Sequence, residues 1–364
     1  MLQCEGLACA GANISLYAKR TLSDVSELPA ALQRTYGVNT SNWQLVTFHS
    51  DLSRAETLGI ALMAARPVLR APIGELVLSR NLYAAWILAT SRRPMLFETH
   101  QLEYGWRKRM QWWIMTRPWV RTVAISNSLV SCLEQHHELR LRDPLVLHDA
   151  APEGIVRLAP ISRRQALASI LMMAVSDLVT WQVICGYFGQ LYAGRGIEII
   201  EAMALARPAC LFLVFGGGDA DVAKRSMSAP PNLRFMGHVS HTVSQFAQAA
   251  VDILLMPYQH SVSIGVHGHD TSRWMSPMKM FEYLAAGVPV ISSDLPVLRE
   301  VLRDGRNCLL VPPSDAQAWV AALDRLEADP ALAERIGAFA HAQYKAQHSW
   351  RRRAEHLLAA AKQP

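Results

Sequence analysis

The chain has 364 residues, of which 51% are hydrophobic and 18% are charged. This length suits two domains of ordinary size, and the composition is typical of packed globular domains, which excludes a largely disordered chain. The formal net charge of +6 predicts a basic surface. Such a surface suits nucleic acid, anionic lipid or phosphorylated small molecules, and the composition alone does not choose among them.

The cysteines are scattered along the chain, at Cys4, Cys9, Cys132, Cys185, Cys210 and Cys308. None of them forms a CxxC pair, which favours a reducing compartment and does not suggest zinc. The longest apolar run, around residues 166–175, is shorter than the ~20 residues that a membrane-spanning helix needs. The first residues also lack the pattern of a secretory signal. We therefore expect a cytoplasmic protein, either free or peripheral at the inner face of the plasma membrane.

The first half alternates short apolar strands with helical segments, as in a parallel α/β sheet. Strands are predicted at NISLYAK, WQLVTF, PMLFET and RTVAIS. One helix is predicted to end at GLACAG, and a second to include AAWILAT. A third is predicted at NSLVSCLEQHH, with Ser126 as its cap. The stretch from Pro152 to Pro160 is interpreted as a linker.

The second half alternates more clearly. Strands are predicted at QVICGYFGQL, ACLFLVFGGG, NLRFMGHV, VDILLMPY, VPVISSD and NCLLVPP. Helices are predicted from about Ser162 and at GIEIIEAMALA, VSQFAQAA, PMKMFEYLAAG, LPVLREVLRDG and AQAWVAALDRLEAD. Short apolar strands between helices indicate a doubly wound sheet, and two such sheets in tandem would form a cleft.

The run SPMKMFEYLAAGVPVISSD carries two charges, Lys279 and Glu282, in an apolar segment. Ser276 is predicted to cap a helix whose first position is Pro277, and Gly287 is predicted to end it. Near the positive end of the helix, Lys279 suits a phosphate, and a carboxylate one turn later suits the vicinal hydroxyls of a ribose. The alternative is an ordinary exposed ion pair on the helix surface.

The run SPMKMFEYLAAGVPVISSDLPVLREVLRDGRNCLLVPPSD resembles the C-terminal signature of glycosyltransferase family 4. The resemblance continues through GYFGQLYAGRGIEIIEAMA, LFLVFGGGD, NLRFMGHVS, VDILLMPY and HSWRRRAEHLL, and in the first half through LFETHQ, VAISNSL and LVLHDAAPEG. It implies an α/β chain of GT-B architecture, with two Rossmann-like doubly wound domains facing across a cleft. Residues 1–158 would form the acceptor-side domain, residues 159–348 would bind the nucleotide sugar, and residues 349–364 would be a helix crossing back toward the N-terminal domain.

The resemblance implies a nucleotide-sugar donor that is held without a metal and without a cofactor. Arg195, Lys279 and the helix N-terminus of Ser276, Pro277 and Met278 would stabilise the diphosphate, and Glu282 would bind the ribose. Gln190 stands where the family has an arginine, whereas Arg195 replaces a lysine and keeps the charge. These replacements leave Lys279 to compensate for the lost arginine.

Four further positions are assigned by the same resemblance. His100 would face the donor sugar, although a histidine after a strand is more often structural. Val239 and the residue before it, His238, would meet the base through their backbone. Trp274 occupies the place of the family's sugar-reading glutamate, which leaves the donor sugar open.

Two short motifs invite other interpretations. The glycine-rich turn from Gly216 to Asp219 is not a GxGxxG dinucleotide fingerprint, so it gives little support to a nicotinamide cofactor. The segment HGHD, residues 267–270, lacks the helical spacing of a zinc motif. We interpret it as a loop that precedes Ser276.

The segment YGWRKRMQWWIMTRPWVRT, residues 104–122, combines tryptophans with arginines and a lysine. Tryptophan favours the water–lipid interface, and basic residues are attracted to anionic headgroups. The segment therefore fits a peripheral contact with an anionic membrane. It equally fits a half-buried helix with a solvated basic side, and less well a stacking surface for single-stranded nucleic acid.

The expected activity is retaining transfer of a sugar from a nucleotide-sugar donor to a hydroxyl acceptor, a glycan or lipid-linked glycan, in surface polysaccharide or glycolipid synthesis. No nucleic-acid partner is expected. Compared with the family, the first strand and its glycine-rich loop are missing before GLACAG, either because the chain starts late or because the domain is shortened. The alternatives are a nucleotide-sugar-binding protein without transferase activity and a sugar-nucleotide epimerase on the same fold.

Overall fold

The computed structural model describes residues 1–20, 26–49, 54–263, 265 and 270–361. Its helices are α1 (Leu2–Cys9), α2 (Leu28–Tyr36), α3 (Arg54–Arg70), α4 (Leu82–Ala89), α5 (Trp106–Met115), α6 (Asn127–His137), α7 (Pro160–Leu171), α8 (Val175–Val179), α9 (Ile197–Ala206), α10 (Asp219–Ser226), α11 (His241–Ala250), α12 (Met278–Ala286), α13 (Ala316–Ala328), α14 (Pro330–Gln347) and α15 (Trp350–Ala361). Its strands are β1 (Ser15–Arg20), β2 (Gln44–His49), β3 (Val77–Ser79), β4 (Met95–Thr99), β5 (Val120–Ala124), β6 (Leu145–Val146), β7 (Ile184–Phe188), β8 (Leu211–Phe215), β9 (Leu233–Gly237), β10 (Ile253–Met256), β11 (Val290–Ser293) and β12 (Leu309–Val311). Within the described ranges, no helix combines the length and apolar character needed to cross a bilayer.

The chain divides into two compact units. Unit 1 comprises Met1–Arg34, Val38–His148 and Trp350–Pro364, and unit 2 comprises Thr35–Gly37 and Asp149–Ser349. Both units alternate parallel strands with helices, so the predicted α/β class is confirmed.

Unit 1 contains a two-stranded parallel sheet, β1–β2, and a four-stranded parallel sheet in the order β3-β4-β5-β6. The last helix of the chain, α15, packs against α1 in this unit. Gly6 permits this close approach, because a Cβ at that position would lie 2.5 Å from the backbone oxygen of Trp350. The side chains of Leu7, Val123 and Leu357 then share one buried cluster. The prediction that this unit lacks the first strand of the family stays a prediction.

Unit 2 is built on a six-stranded parallel sheet in the order β12-β11-β10-β7-β8-β9. Helices cover both faces: α7, α11 and α12 contribute to one buried cluster, and α9 and α13 contribute to the other. Each of the four strands β7, β8, β10 and β11 is buried along its whole length, as expected for a sheet covered on both sides. The prediction of a doubly wound sheet is therefore confirmed for this unit.

Local rules explain several of the element ends. The Ser126 hydroxyl accepts the backbone N–H of Leu129 at 2.9 Å, as predicted for a helix cap. Gly287 ends α12 in the left-handed region, at φ 65°. The prediction of a helix at LPVLREVLRDG is wrong, because only a short 3-10 turn forms there, at Leu298–Glu300. Asn307 explains this result: its side chain donates to the Val301 carbonyl at 3.0 Å and accepts the Arg303 N–H at 2.7 Å, taking groups that a longer helix would pair internally.

Candidate functional site

The order of strands in unit 2 creates a crevice beside its central strand. The chain passes from β7 to β8 on one side of β7, whereas β10 lies on the other side. In an open parallel sheet the loops that follow two such strands diverge, and ligands bind at the carboxyl ends of those strands. Gly189 directly follows β7, and Tyr258 comes two residues after β10. Both residues lie at this edge of the sheet.

Lys279, the second residue of α12, places its ammonium group at this crevice. Its Nζ atom is buried and has no hydrogen-bond partner among the described residues. It lies 4.0 Å from the ring centre of Tyr187 and 5.1 Å from that of Tyr258. The faces of the two rings stabilise the positive charge, but they do not replace a hydrogen-bond acceptor. An unpaired buried ammonium is a group that an anionic ligand would satisfy.

Arg195 brings a second positive charge to the same place. Its Nη1 atom donates to the Tyr258 hydroxyl at 3.1 Å, and its guanidinium carbon lies 5.3 Å from the Tyr258 ring centre. Burial and then the charge of Arg195 lower the pKa of Lys279 well below its ordinary value, while Glu282 acts in the opposite direction. Two adjacent cations that lack a neutralising partner form an electrostatic site for a doubly charged anion such as a diphosphate.

The absence of a side chain at Gly189 leaves room for the Lys279 ammonium group beside the backbone. The φ of Gly189 is +151°, and a Cβ at this position would come within 2.5 Å of the Lys279 Nζ atom. The next residue, Gln190, accepts the Tyr187 hydroxyl through its backbone oxygen at 2.7 Å, and its side chain is exposed. The structure therefore places the predicted residues Gln190, Arg195 and Lys279 around the same pair of tyrosines.

Glu282 lies one turn further along α12 and is 7% exposed. Its Oε1 atom bonds to His241 Nε2 at 2.8 Å, and its Oε2 atom accepts from Gln248 Nε2 at 3.2 Å. The Gln245 amide donates to the other ring nitrogen of His241 at 3.3 Å, which leaves the Nε2 proton for Glu282. The alternative of an exposed surface pair is wrong, because the Lys279 Nζ atom and Glu282 are both buried.

The N-terminus of α12 differs in one detail from its prediction. Met278 is the first helical residue and Pro277 is the capping position, without a side-chain cap bond. Ser276 does not cap the helix: its hydroxyl accepts the backbone N–H of Asp149 at 2.9 Å instead. The predicted cap is therefore wrong, because Ser276 lies one residue too early. The hydroxyl fixes residue 149 next to the segment that leads into α12.

Two other predicted positions lie nearby in the fold. Val239 follows β9 by two residues and packs against the buried cluster that includes α12. Trp274 is 8% exposed. Most of the HGHD motif, residues 267–269, lies outside the described residues. Where the chain is described, no group of three or more His, Cys, Asp and Glu side chains is arranged to hold a metal ion.

His100 belongs to unit 1, directly after β4. Its Nε2 atom bonds to Glu98 Oε1 at 2.8 Å, and its Nδ1 atom lies 3.1 Å from Arg80 Nη2. Glu98 is 1% exposed and also accepts from Arg353 Nη2 at 3.0 Å. Burial alone would raise the pKa of Glu98, but Arg353, the His100 hydrogen bond and Arg80 lower it well below its ordinary value. His100 is therefore held by a buried carboxylate, and its role at a donor sugar stays a prediction.

The sequence reasoning missed four residues of the unit 2 site. In the sequence, Tyr187 and Tyr258 look like ordinary core residues, and both are indeed only 1% exposed. His241 and Gln248 are seven residues apart on α11, a spacing that places polar side chains on one helix face. That spacing was a usable signal, but nothing in the sequence links the face to Glu282.

Comparisons with known proteins point to glycosyltransferases. Residues 182–329 match the family model described as "Glycosyl transferases group 1". The chain is 31% identical over 144 residues to the phosphatidyl-myo-inositol mannosyltransferase of Mycolicibacterium smegmatis, which covers 36% of this chain and 34% of that protein. It is 28% identical over 116 residues to the putative teichuronic acid biosynthesis glycosyltransferase TuaH of Bacillus subtilis, covering 31% of this chain and 27% of that protein. The chain thus aligns with about a third of the length of these curated relatives.

The fold comparison extends over nearly the whole chain. The crystal structure of Anabaena HepE in complex with UDP and glucose superposes with a TM-score of 0.70, at 14% identity, covering 97% of this chain and 100% of that one. This likeness confirms the GT-B fold. Over residues 182–329, the chain is similar to the group 1 glycosyltransferases.

Proposed function

We propose that this chain is a retaining glycosyltransferase that moves a sugar from a nucleotide-sugar donor to a hydroxyl acceptor. The observation that carries the proposal is the pair of cations, Lys279 and Arg195, at the carboxyl ends of β7 and β10, one helical turn from a buried carboxylate. The pair matches a diphosphate, and the carboxylate of Glu282 matches ribose hydroxyls. The names of the relatives support the same activity, since one is a mannosyltransferase and the other a putative glycosyltransferase.

The proposed step is a front-face displacement. The bond between the sugar C1 and the diphosphate oxygen breaks, and the acceptor oxygen forms its bond to C1 on the same face. The acceptor proton passes to the departing diphosphate oxygen. Lys279, Arg195 and the N-terminus of α12 stabilise the negative charge that develops on the leaving group. Such charge stabilisation acts where the transition state differs from the ground state.

The remaining residues hold the donor rather than reacting. Glu282 binds the ribose, with His241 and Gln248 orienting its two oxygens. Met278, Pro277 and Ser276 shape the helix N-terminus, Val239 offers its backbone to the base, and Gln190 lies beside the diphosphate. His100 is assigned to the donor sugar by the family resemblance alone.

Nucleotide binding gives the first test. Titration calorimetry with uridine diphosphate and guanosine diphosphate is expected to show binding of at least one of them. Lys279→Met and Glu282→Gln should each weaken it by about ten- to a hundredfold, since hydrogen bonds to charged groups contribute about 1.5–3 kcal/mol. Lys224→Met, an exposed lysine of α10, is the matched control and should bind normally. Unchanged affinity in both site variants would remove the basis of the proposal.

We further propose that unit 1 docks on an anionic membrane at the inner face of the plasma membrane, where a lipid-linked acceptor would be reached. Helix α5 buries Gln111, Ile114 and Met115, so it is anchored in the unit. Its outer side exposes Trp106 and Trp112, at 61% and 44%. These rings suit the interface between headgroups and acyl chains.

Neighbouring helices extend this exposed surface. Helix α4 packs against both α3 and α5. It exposes Trp86, whose ring meets that of Trp113 edge-on at 6.5 Å. Arg117 lies 4.7 Å above the Trp113 ring. Each basic residue near an anionic surface contributes about 1 kcal/mol, so the mixed aromatic and basic surface favours a lipid partner.

A further inference from the structure

A cavity lies at the edge of the unit 2 sheet opposite to the Lys279 site. Its volume is about 540 Å³, and its lining includes Val183, Asp252 and Pro289, which directly precede β7, β10 and β11. These strands are mutually parallel, so their amino ends share one edge and their carboxyl ends share the other. The volume is within the range of small-molecule sites, roughly 300–1,000 Å³.

Arg163 of α7 lines this cavity as a buried charge without a partner. The residue is 6% exposed, and its Nε atom has no hydrogen-bond acceptor. Within the described part of the chain, its guanidinium forms no ion pair and no hydrogen bond. Burial lowers the pKa of Arg163, and the charges of Asp252 and Glu334 oppose this shift. A buried cation in this condition is stabilised by an anion that enters the cavity.

The acidic residues of the cavity do not supply that anion. Each of them is paired with another arginine: Asp252 with Arg164 at 2.7 Å, Glu334 with Arg157 at 2.5 Å, and Glu327 with Arg207. Asp252 also accepts the backbone N–H of Ile184 at 2.8 Å. The three carboxylates are therefore neutralised, and Arg163 is the lining arginine whose charge is left over.

The rest of the lining is largely apolar, with Ile253, Leu326 and Pro330 among the side chains that form it. A ligand that fits must therefore combine one anionic group with an apolar body. A fully polar anion would leave the apolar walls without contacts, and a neutral apolar molecule would leave Arg163 unpaired.

We propose that this cavity is a second binding site, for a small anion with an apolar body whose carboxylate or phosphate pairs with Arg163. The site is separate from the proposed donor site and does not depend on the proposed activity. The cavity lies behind β7, which carries Tyr187, and behind β10, which leads to Tyr258, so an occupant would act on the donor site through the sheet.

Three six-carbon probes test the site in the full chain: hexanoate, hexyl phosphate and hexanol. Calorimetry and the melting temperature are expected to show binding of one or both anions and none of the neutral alcohol, and the stronger anion identifies the head group. Arg163→Gln should weaken anion binding by about ten- to a hundredfold. Arg335→Gln, an exposed arginine on α14, is the matched control.

A second measurement separates a binding role from a structural one. Replacing an unpaired buried charge by an apolar side chain of similar length stabilises a protein, so Arg163→Met should melt at a higher temperature than the parent chain without ligand. Uridine diphosphate affinity should be unchanged in this variant. Equal binding of hexanol and hexanoate, undiminished anion binding in Arg163→Gln, or a lower melting temperature for Arg163→Met would each overturn the proposal.

Discussion

Raising the pH is expected to weaken diphosphate binding through Lys279. Its Nζ atom is buried without a hydrogen-bond partner among the described residues, and its pKa is lowered by burial and by Arg195. The free protein therefore releases this proton more readily than an exposed lysine does. A bound diphosphate places negative charge beside the amine and favours its charged form. Binding thus takes up a proton at any pH between the free and bound pKa values.

One titrating amine fixes the size of the effect. Uptake of one proton raises Kd by up to about tenfold for each pH unit, or about 1.4 kcal/mol. The tyrosines that face Lys279 do not compete, because burial raises the pKa of Tyr187 and of Tyr258 above the ordinary tyrosine value. Glu282 is the charged group that opposes the lowering of the lysine pKa.

The assay is calorimetry with uridine diphosphate between about pH 7 and about pH 9, where the diphosphate is fully ionised. Two buffers with different ionisation enthalpies give the number of protons taken up. We expect proton uptake on binding in the parent chain and in Lys224→Met, and none in Lys279→Met. Diphosphate that binds without proton uptake, or an uptake that survives Lys279→Met, would refute the reasoning.

The same lysine affects the stability of the free protein. Since its folded-state pKa is lowered, the unfolded chain binds more protons, and stability rises with pH toward the ordinary lysine pKa. Lys279→Met should reduce this pH dependence in chemical denaturation of the ligand-free chain. A parent chain whose stability does not rise over this range would contradict the burial argument.

Three further predictions concern unit 1. Glu98→Gln should destabilise it by about 3–5 kcal/mol at neutral pH, because the buried partner arginine loses its counter-charge. The parent's contribution is present above the ordinary glutamate pKa and is lost as pH falls, so urea denaturation should separate the two chains at neutral pH and bring them together at acid pH. His100→Ala should lower the rate of sugar transfer while uridine diphosphate affinity is unchanged, and an unaltered rate would leave this histidine a structural role. Trp106→Ser with Trp112→Ser should reduce sedimentation with anionic vesicles relative to Phe246→Ser, an exposed aromatic residue of unit 2; equal sedimentation of the two would exclude this surface as the membrane contact.

Sequence patterns predicted the features that depend on neighbours along the chain. Apolar runs identified the buried strands of unit 2, and Ser126 and Gly287 marked helix ends, because capping involves residues within one turn. The same rules failed at LPVLREVLRDG, where Asn307 removes backbone partners that the local pattern assigns to a helix.

The candidate site was only half accessible to such reasoning. Lys279 and Glu282 were found because both lie on one helix end, a feature of local sequence. The contact of Glu282 with His241 joins residues 41 positions apart, and it forms only because α11 and α12 pack on the same face of the sheet. The tyrosines around Lys279 likewise meet through the pairing of β7 with β10, which no local pattern specifies.

The central claim is that the unit 2 site supports transfer of a sugar with retention of configuration. Proton NMR of the product formed from a panel of nucleotide sugars, with water or a model hydroxyl acceptor, tests it most directly. We predict that the first product formed has the anomeric configuration of the donor, and that Lys279→Met abolishes its formation while Lys224→Met does not. An inverted first product, or no sugar release from any donor by a chain that binds the nucleotide, would contradict the account.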